Sequence, residues 1–229
     1  MTPLLLLPGM MCDERLFAHL VEADGRQRES HCADLTGHDD WSDLAASVLD
    51  HAPAVFDVIG VSMGGALALE LCALAPERVR RVVVLDANPH ADTPEKRQGR
   101  LDLLDALDAE GLEALMQNRL FPNYLAESRD DPALIALFWS MAERLGDSVF
   151  RRQSHALLSR KSRLLDLADF DKPVLILRGA EDRICPRSYH TDMAEALPNT
   201  RFEEIANAGH LPGLEAPDAT TKLIQDWLR

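Results

Sequence analysis

Short apolar runs separated by stretches of helical period constrain this chain more than any other feature. Leu4 to Leu7, Ala54 to Ile59, Val79 to Leu85 and Val174 to Leu177 are such runs, and Arg201 to Ile205 is a weaker fifth. A run of four to seven residues without polar alternation suits a strand covered on both faces, as in a parallel sheet. Gln27 to Cys32 has poor strand propensity, and a strand is placed there because the alternation requires one. Between the runs, Asp40 to Leu49 begins with capping residues and carries Trp41, Leu44, Ala45, Val48 and Leu49 on one face. Gly65 to Ala75 is apolar nearly all round apart from Glu70, the pattern of a helix buried at the centre of a domain. Asp218 to Leu228 is the last helical stripe. Strands alternating with such helices predict an open α/β sheet with right-handed crossovers.

The alternation stops between about residues 91 and 170. Here the patterns are helical only: Pro94 to Asp108, Glu110 to Leu120, Pro132 to Leu145 and Ser148 to Ser159, divided by Pro122, Asn123, the Asp130-Asp131-Pro132 turn and Gly146. The expected organisation is therefore a core of residues 1–90 and 171–229 with an inserted helical cap, or lid, at 91–170.

Within that frame, V-I-G-V-S-M-G-G at 58–65 gains meaning. The pentapeptide G-x-S-x-G arises by chance often enough that its setting must decide. Ser62 lies where a strand ends and a buried helix begins, and Gly60 and Gly64 remove the side chains that a sharp strand-to-helix turn cannot hold. Such a turn exposes the hydroxyl at a helix N-terminus, where a developing negative charge is favoured. A serine also needs a base. G-A-E-D-R-I-C-P at 179–186 follows the V-L-I-L-R strand, and its G-x-x-D spacing favours Asp182 over the neighbouring Glu181. A-N-A-G-H-L-P-G-L-E-A-P at 206–217 sets His210 between the last strand and the last helix. Both loops open on the carboxyl edge of the sheet, and Ser62, Asp182, His210 is the chain order of an α/β-hydrolase triad.

With P-G-M-M near the start, A-D-L-T-G-H after the second strand and A-P-E-R-V-R-R-V-V-V-L-D, these motifs resemble the α/β-hydrolase superfamily over nearly the whole chain, in the branch of small bacterial-type esterases and lactonases with a helical cap. The resemblance implies a shortened, mostly parallel sheet of about six strands flanked by helices. The chain lacks the extra antiparallel strands with which most relatives begin, and it has Pro8-Gly9 where they usually have His-Gly. By the same similarity, the backbone N–H groups of Met10 and Met63 form the oxyanion hole.

The activity implied is cleavage of a small, largely uncharged carboxylic ester or lactone through an acyl-enzyme on Ser62. Thioester hydrolysis or carbon–carbon bond hydrolysis or lysis by the same triad are alternatives, and ligand binding without catalysis is a third. Met11, His90, Phe121, Tyr124 and Trp139 are candidates to contact substrate, although aromatic residues of the cap more often form its own core. No cofactor is expected, since G-V-S-M-G-G lacks the dinucleotide spacing and no P-loop lysine is present. No metal is expected either, because His38-Asp39-Asp40 has no paired histidine spacing.

Lys and Arg total 24 against 38 Asp and Glu, a net charge of −14 that argues against nucleic acid or an anionic membrane as partner. Cys12, Cys32, Cys72 and Cys185 are scattered without a C-x-x-C pair. Free thiols and the lack of a charged leader before Leu4 fit a cytoplasmic protein. Whether it is a monomer or a homodimer is open.

Overall fold

The computed structural model describes residues 1–25, 27–126 and 130–229. In chain order the elements are β1 (Leu4–Leu7), α1 (Ala18–Ala23), β2 (Ser30–Cys32), α2 (Trp41–His51), β3 (Phe56–Val61), α3 (Met63–Leu74), β4 (Val79–Leu85), α4 (Pro94–Leu115), α5 (Phe121–Tyr124), α6 (Pro132–Ser159), β5 (Val174–Gly179), α7 (Arg187–Ala196), β6 (Thr200–Ile205), α8 (Pro212–Glu215) and α9 (Pro217–Leu228). The six strands form one sheet in the order β2-β1-β3-β4-β5-β6, and each of its pairings is parallel.

Burial follows strand position. Every residue of β1, β3 and β5 is buried, whereas the edge strands β2 and β6 are half-exposed. Each fully buried Leu or Val contributes roughly 1.5–3 kcal/mol. Along β3 the faces alternate with period two. Ile59 and Val61 line a small hollow together with Leu16, Phe17 and Leu20 of the first helical segment and Thr220, Thr221 and Ile224 of α9, while Gly60 faces α3. Helix α3 is buried from Met63 to Cys72, Glu70 included. That carboxylate is satisfied by Arg163 at 2.6 and 2.8 Å and by the Trp41 indole N–H at 3.3 Å.

The strand order reverses between β1 and β3, so the segments leaving their carboxyl ends diverge and open a crevice there. Register aligns Leu7 with Gly60, Val61 with Leu85, and Leu85 with Leu177. The residues that follow β1, β3, β4 and β5 therefore share one edge.

Several sequence-based boundaries shift for physical reasons. The second strand is Ser30–Cys32 rather than Gln27 to Cys32, because an edge with no large apolar side chain pairs over only three residues. Helix α3 begins at Met63, directly after the turn, rather than at Gly65. Pro122 does not separate helices; it occupies the first turn of α5, where its missing N–H is tolerated. The break at Gly146 falls where the sequence placed it, and a second falls at Gly111, just inside the helical stretch expected from Glu110; their φ angles of 76° and 79° kink α6 and α4. A π-helical turn, Met116–Leu120, joins α4 to α5. No described helix is long and apolar enough to cross a membrane.

Candidate active site

Ser62 occupies the turn between β3 and α3 with φ 55° and ψ −114°, a conformation that a residue with a side chain adopts only under constraint. The constraint is close packing of three backbone segments. A Cβ on Gly60 would lie 2.2 Å from the Gly64 carbonyl oxygen, and one on Gly64 would lie 2.0 Å from that of Leu7. The Ser62 N–H donates to the Leu85 carbonyl at 2.8 Å, pinning the turn to β4.

Three loops then converge. His210 Nε2 lies 2.7 Å from Ser62 Oγ, and His210 Nδ1 lies 3.0 Å from Asp182 Oδ2. Asp182 Oδ1 accepts from the Ile184 and Cys185 amides at 2.8 and 3.2 Å. Burial opposes ionisation of Asp182, but the charge and hydrogen bond of His210, with further bonds from Asp86 and Ile184, outweigh it and hold the carboxyl at about 2. An ionised Asp182 fixes the proton on Nδ1 and leaves Nε2 free to accept from the serine hydroxyl.

Asp86 stands behind this pair. It is fully buried, and its Oδ1 accepts from the Gly179 amide at 2.9 Å. Burial first, then the Asp182 charge, push its pKa well above the carboxylate range. No described group donates to its Oδ2, and the neighbouring Asp182 carboxylate accepts a hydrogen bond through the proton that Asp86 retains.

Residues 4–223 match the family described as the alpha/beta hydrolase family. The chain belongs to that family. A pimeloyl-[acyl-carrier protein] methyl ester esterase from Nitrosomonas europaea is 27% identical to this hydrolase over 94% of its chain and 91% of the relative's. An esterase from Thermogutta terrifontis, solved with malate bound, superposes with a TM-score of 0.88 at 23% identity, covering 100% of this chain and 90% of the other. An enol-lactonase from Burkholderia xenovorans superposes with a TM-score of 0.86 at 20% identity, covering 100% and 92%. At these identities the superpositions speak for the fold.

In the hydrolase, a cavity of about 80 Å³ reaches Ser62, and Met10, Met63, Asn88, Tyr124, Ile184 and Cys185 are among the residues that line it. Gly9 lies against the turn, since a Cβ there would come 3.5 Å from that of Ser62. The Met10 and Met63 amides have no acceptor among the described residues, whereas the next amide, Met11 N–H, donates to Gln153 Oε1 at 2.9 Å.

Of the five candidate contact residues, Tyr124 lines this cavity, its ring edge-on to His210 at 5.0 Å. Met11 is wholly buried beneath Gln153. Phe121 packs on Phe138 at 5.0 Å, and Trp139 is partly buried against the core. His90 turns to Asp192 at 2.8 Å and to the Tyr189 ring. Four of the five thus serve packing or hydrogen bonding and are not among the lining residues.

Asp182, Cys185 and His210 offer ligand atoms within 4.8 Å of one another. They make a poor metal set, because both imidazole nitrogens are engaged and burial pushes the Cys185 thiol far up, keeping it protonated. Cys12 is likewise held as a thiol by burial.

The loop bearing His210 and the end of α5 are tied together beside the site. The His210 N–H donates to the Tyr124 carbonyl at 2.8 Å. The buried Glu215 accepts from Ala126 N–H at 2.7 Å through one oxygen and from Leu211 N–H at 3.1 Å through the other.

Asp86, Gln153 and Glu215 escaped the sequence reading. Asp86 had a signal, an acid at the carboxyl end of V-V-V-L-D. Gln153 sits inside a helical pattern where nothing distinguishes it from a solvated polar residue, and Glu215 lies in the 206–217 motif, where His210 alone drew notice.

Proposed function

We propose that the protein hydrolyses a small carboxylic ester or lactone through an acyl-enzyme on Ser62. The hydrogen-bond chain from Ser62 Oγ to His210 at 2.7 Å and from His210 to Asp182 at 3.0 Å carries this reading.

In the first half-reaction Ser62 Oγ attacks the carbonyl carbon while its proton passes to His210 Nε2. Asp182 stabilises the imidazolium that results. The carbonyl oxygen gains the negative charge, and the unengaged Met10 and Met63 amides, the latter at the N-terminus of α3, are positioned to donate to it. Collapse breaks the carbon–oxygen bond to the alcohol, which leaves with the proton from His210. Water then attacks the acyl-enzyme with His210 as base, releasing the acid and restoring Ser62. In a lactone the alcohol and acid remain one molecule.

Residues 91–170 act in this reading as a cap, since α4, α5 and α6 contribute Lys96, Tyr124 and Leu157 to the cavity wall. The small volume favours compact substrates.

The test is turnover of p-nitrophenyl acetate together with labelling by a serine-directed organophosphate. One adduct on the peptide containing Ser62, loss of turnover on labelling, and abolition of both in Ser62→Ala are expected. Labelling at another residue, or turnover that survives Ser62→Ala, refutes the assignment.

A further inference from the structure

The cavity at Ser62 concentrates positive charge in a chain whose net charge is −14. Lys96 and Arg100 of α4 and Arg160 at the end of α6 all line it. One carboxylate, Asp92, pairs with two of them: with Arg100 through Nε, and with Arg160 at 3.2 Å. Two of the three cations therefore share a single acid. Lys96 Nζ rests over the Tyr189 ring at 5.0 Å and makes no ion pair among the described residues.

Arg160 is more deeply buried than Arg100. Its side chain is only 3% exposed, yet Nε has no hydrogen-bond acceptor. One terminal nitrogen donates to the Asn88 carbonyl and the other to Asp92. Burial draws its pKa down even with Asp92 beside it. Arg100 spends Nε on Asp92, and its terminal nitrogens have no acceptor among the described residues. A buried guanidinium with unused donors is unfavourable unless an anion completes it, and its planar fork matches a carboxylate. A structural ion pair alone would need one arginine, not three cations around a hollow that reaches a serine hydroxyl.

We propose that this cavity takes a compact ester carrying a carboxylate, which Lys96, Arg100 and Arg160 hold while the ester carbonyl faces Ser62. This rests on the reading of Ser62 as nucleophile, and it replaces the largely uncharged substrate that the sequence suggested. Arg100 and Lys96 are partly exposed and supply attraction at the mouth, whereas Arg160 forms the dry end of the site.

The test compares matched esters by pH-stat: monomethyl succinate with methyl butyrate, placing the carboxylate on the acyl side, and acetoxyacetate with ethyl acetate, placing it on the alcohol side. In one pair kcat/KM is expected to favour the charged ester by about tenfold or more. Arg100→Gln and Lys96→Gln should each lower that ratio by roughly tenfold, and high salt should lower it too. Arg201→Gln, on the outer strand β6, should leave the ratio as it is. Equal or better use of the neutral ester in both pairs overturns the proposal.

Binding separates this idea from the nucleophile assignment. Calorimetry with succinate on the Ser62→Ala protein should show binding that Arg100→Gln weakens. If no ester is turned over but succinate binds in this way, the carboxylate site stands and the hydrolytic reading falls. Succinate that does not bind, or binds equally to Arg100→Gln, refutes the site whatever the turnover.

Discussion

The carboxyl of Asp86, in the bend just after β4, hydrogen-bonds to the carboxylate of Asp182. Asp86 is the protonated member, so an amide can replace it. Asp86→Asn is expected to retain kcat within about tenfold, whereas Asp86→Ala, which leaves Asp182 without that donor, should lose about 10- to 100-fold. Equal losses in both variants would show that the donor is irrelevant.

The same residue predicts a pH dependence of stability. Its pKa is raised on folding, so its contribution is fully present below the unfolded value of 3.8 and is lost as pH rises toward the folded value. Asp86→Asn does not titrate. Urea denaturation of both proteins from pH 4 upward should find wild type losing stability relative to the variant.

Asp182 works in the opposite direction. With a folded pKa of about 2 against 3.8, it favours the folded state above 3.8 and ceases to do so as pH falls through 2. Asp182→Asn should reverse the His210 tautomer and lower kcat on any substrate ester by about 10⁴-fold. Steady-state kinetics across pH checks this, and a loss under tenfold would contradict the role given to Asp182.

Two glycines of one chain should respond to alanine with opposite sign. Gly64→Ala drives a methyl to 2.0 Å from the Leu7 carbonyl oxygen, backbone against backbone, with no flexible group to yield. A destabilisation of at least about 3 kcal/mol, or a Tm lower by roughly 10 °C, is expected. Gly99, within α4, has nothing within 4 Å of such a methyl. Gly99→Ala should stabilise by about 0.5–1 kcal/mol. Thermal melts of the two variants decide it.

His190 is fully buried on α7, stacked on Phe202, and burial lowers its pKa to about 4. The unfolded chain takes up a proton below 6.5 that the folded one refuses until about 4, so stability should fall over that window by about 3 kcal/mol. In His190→Gln the fall should be smaller by most of that amount when urea midpoints are compared at pH 7 and pH 4.5.

What was legible in the sequence depended on local geometric necessity. Gly60 and Gly64 announced the turn because no other residue fits between three backbone segments. The loops bearing Asp182 and His210 could be assigned to the same edge because parallel strands send all their carboxyl ends one way. The extent of β2 was not legible, since Ser30–Cys32 pairs through backbone alone and its side chains carry no pattern. The cavity wall was not legible either. Lys96 and Arg100 lie in a charge-rich helix where a cation facing inward looks the same as one facing water. Aromatic residues drew attention to Phe121 and Trp139, yet their rings are spent on packing.

The tie between the insertion and the histidine loop sets a limit on how this molecule can open. The Tyr124 carbonyl and the Glu215 carboxylate bridge the two. Lifting the stretch from Tyr124 to Ala126 would pull on the segment that aims the imidazole at Ser62. In the proposed reaction, entry that leaves this tie intact passes on the α4 side, by Lys96 and Arg100, with the Tyr124 wall as a fixed hinge post rather than a door.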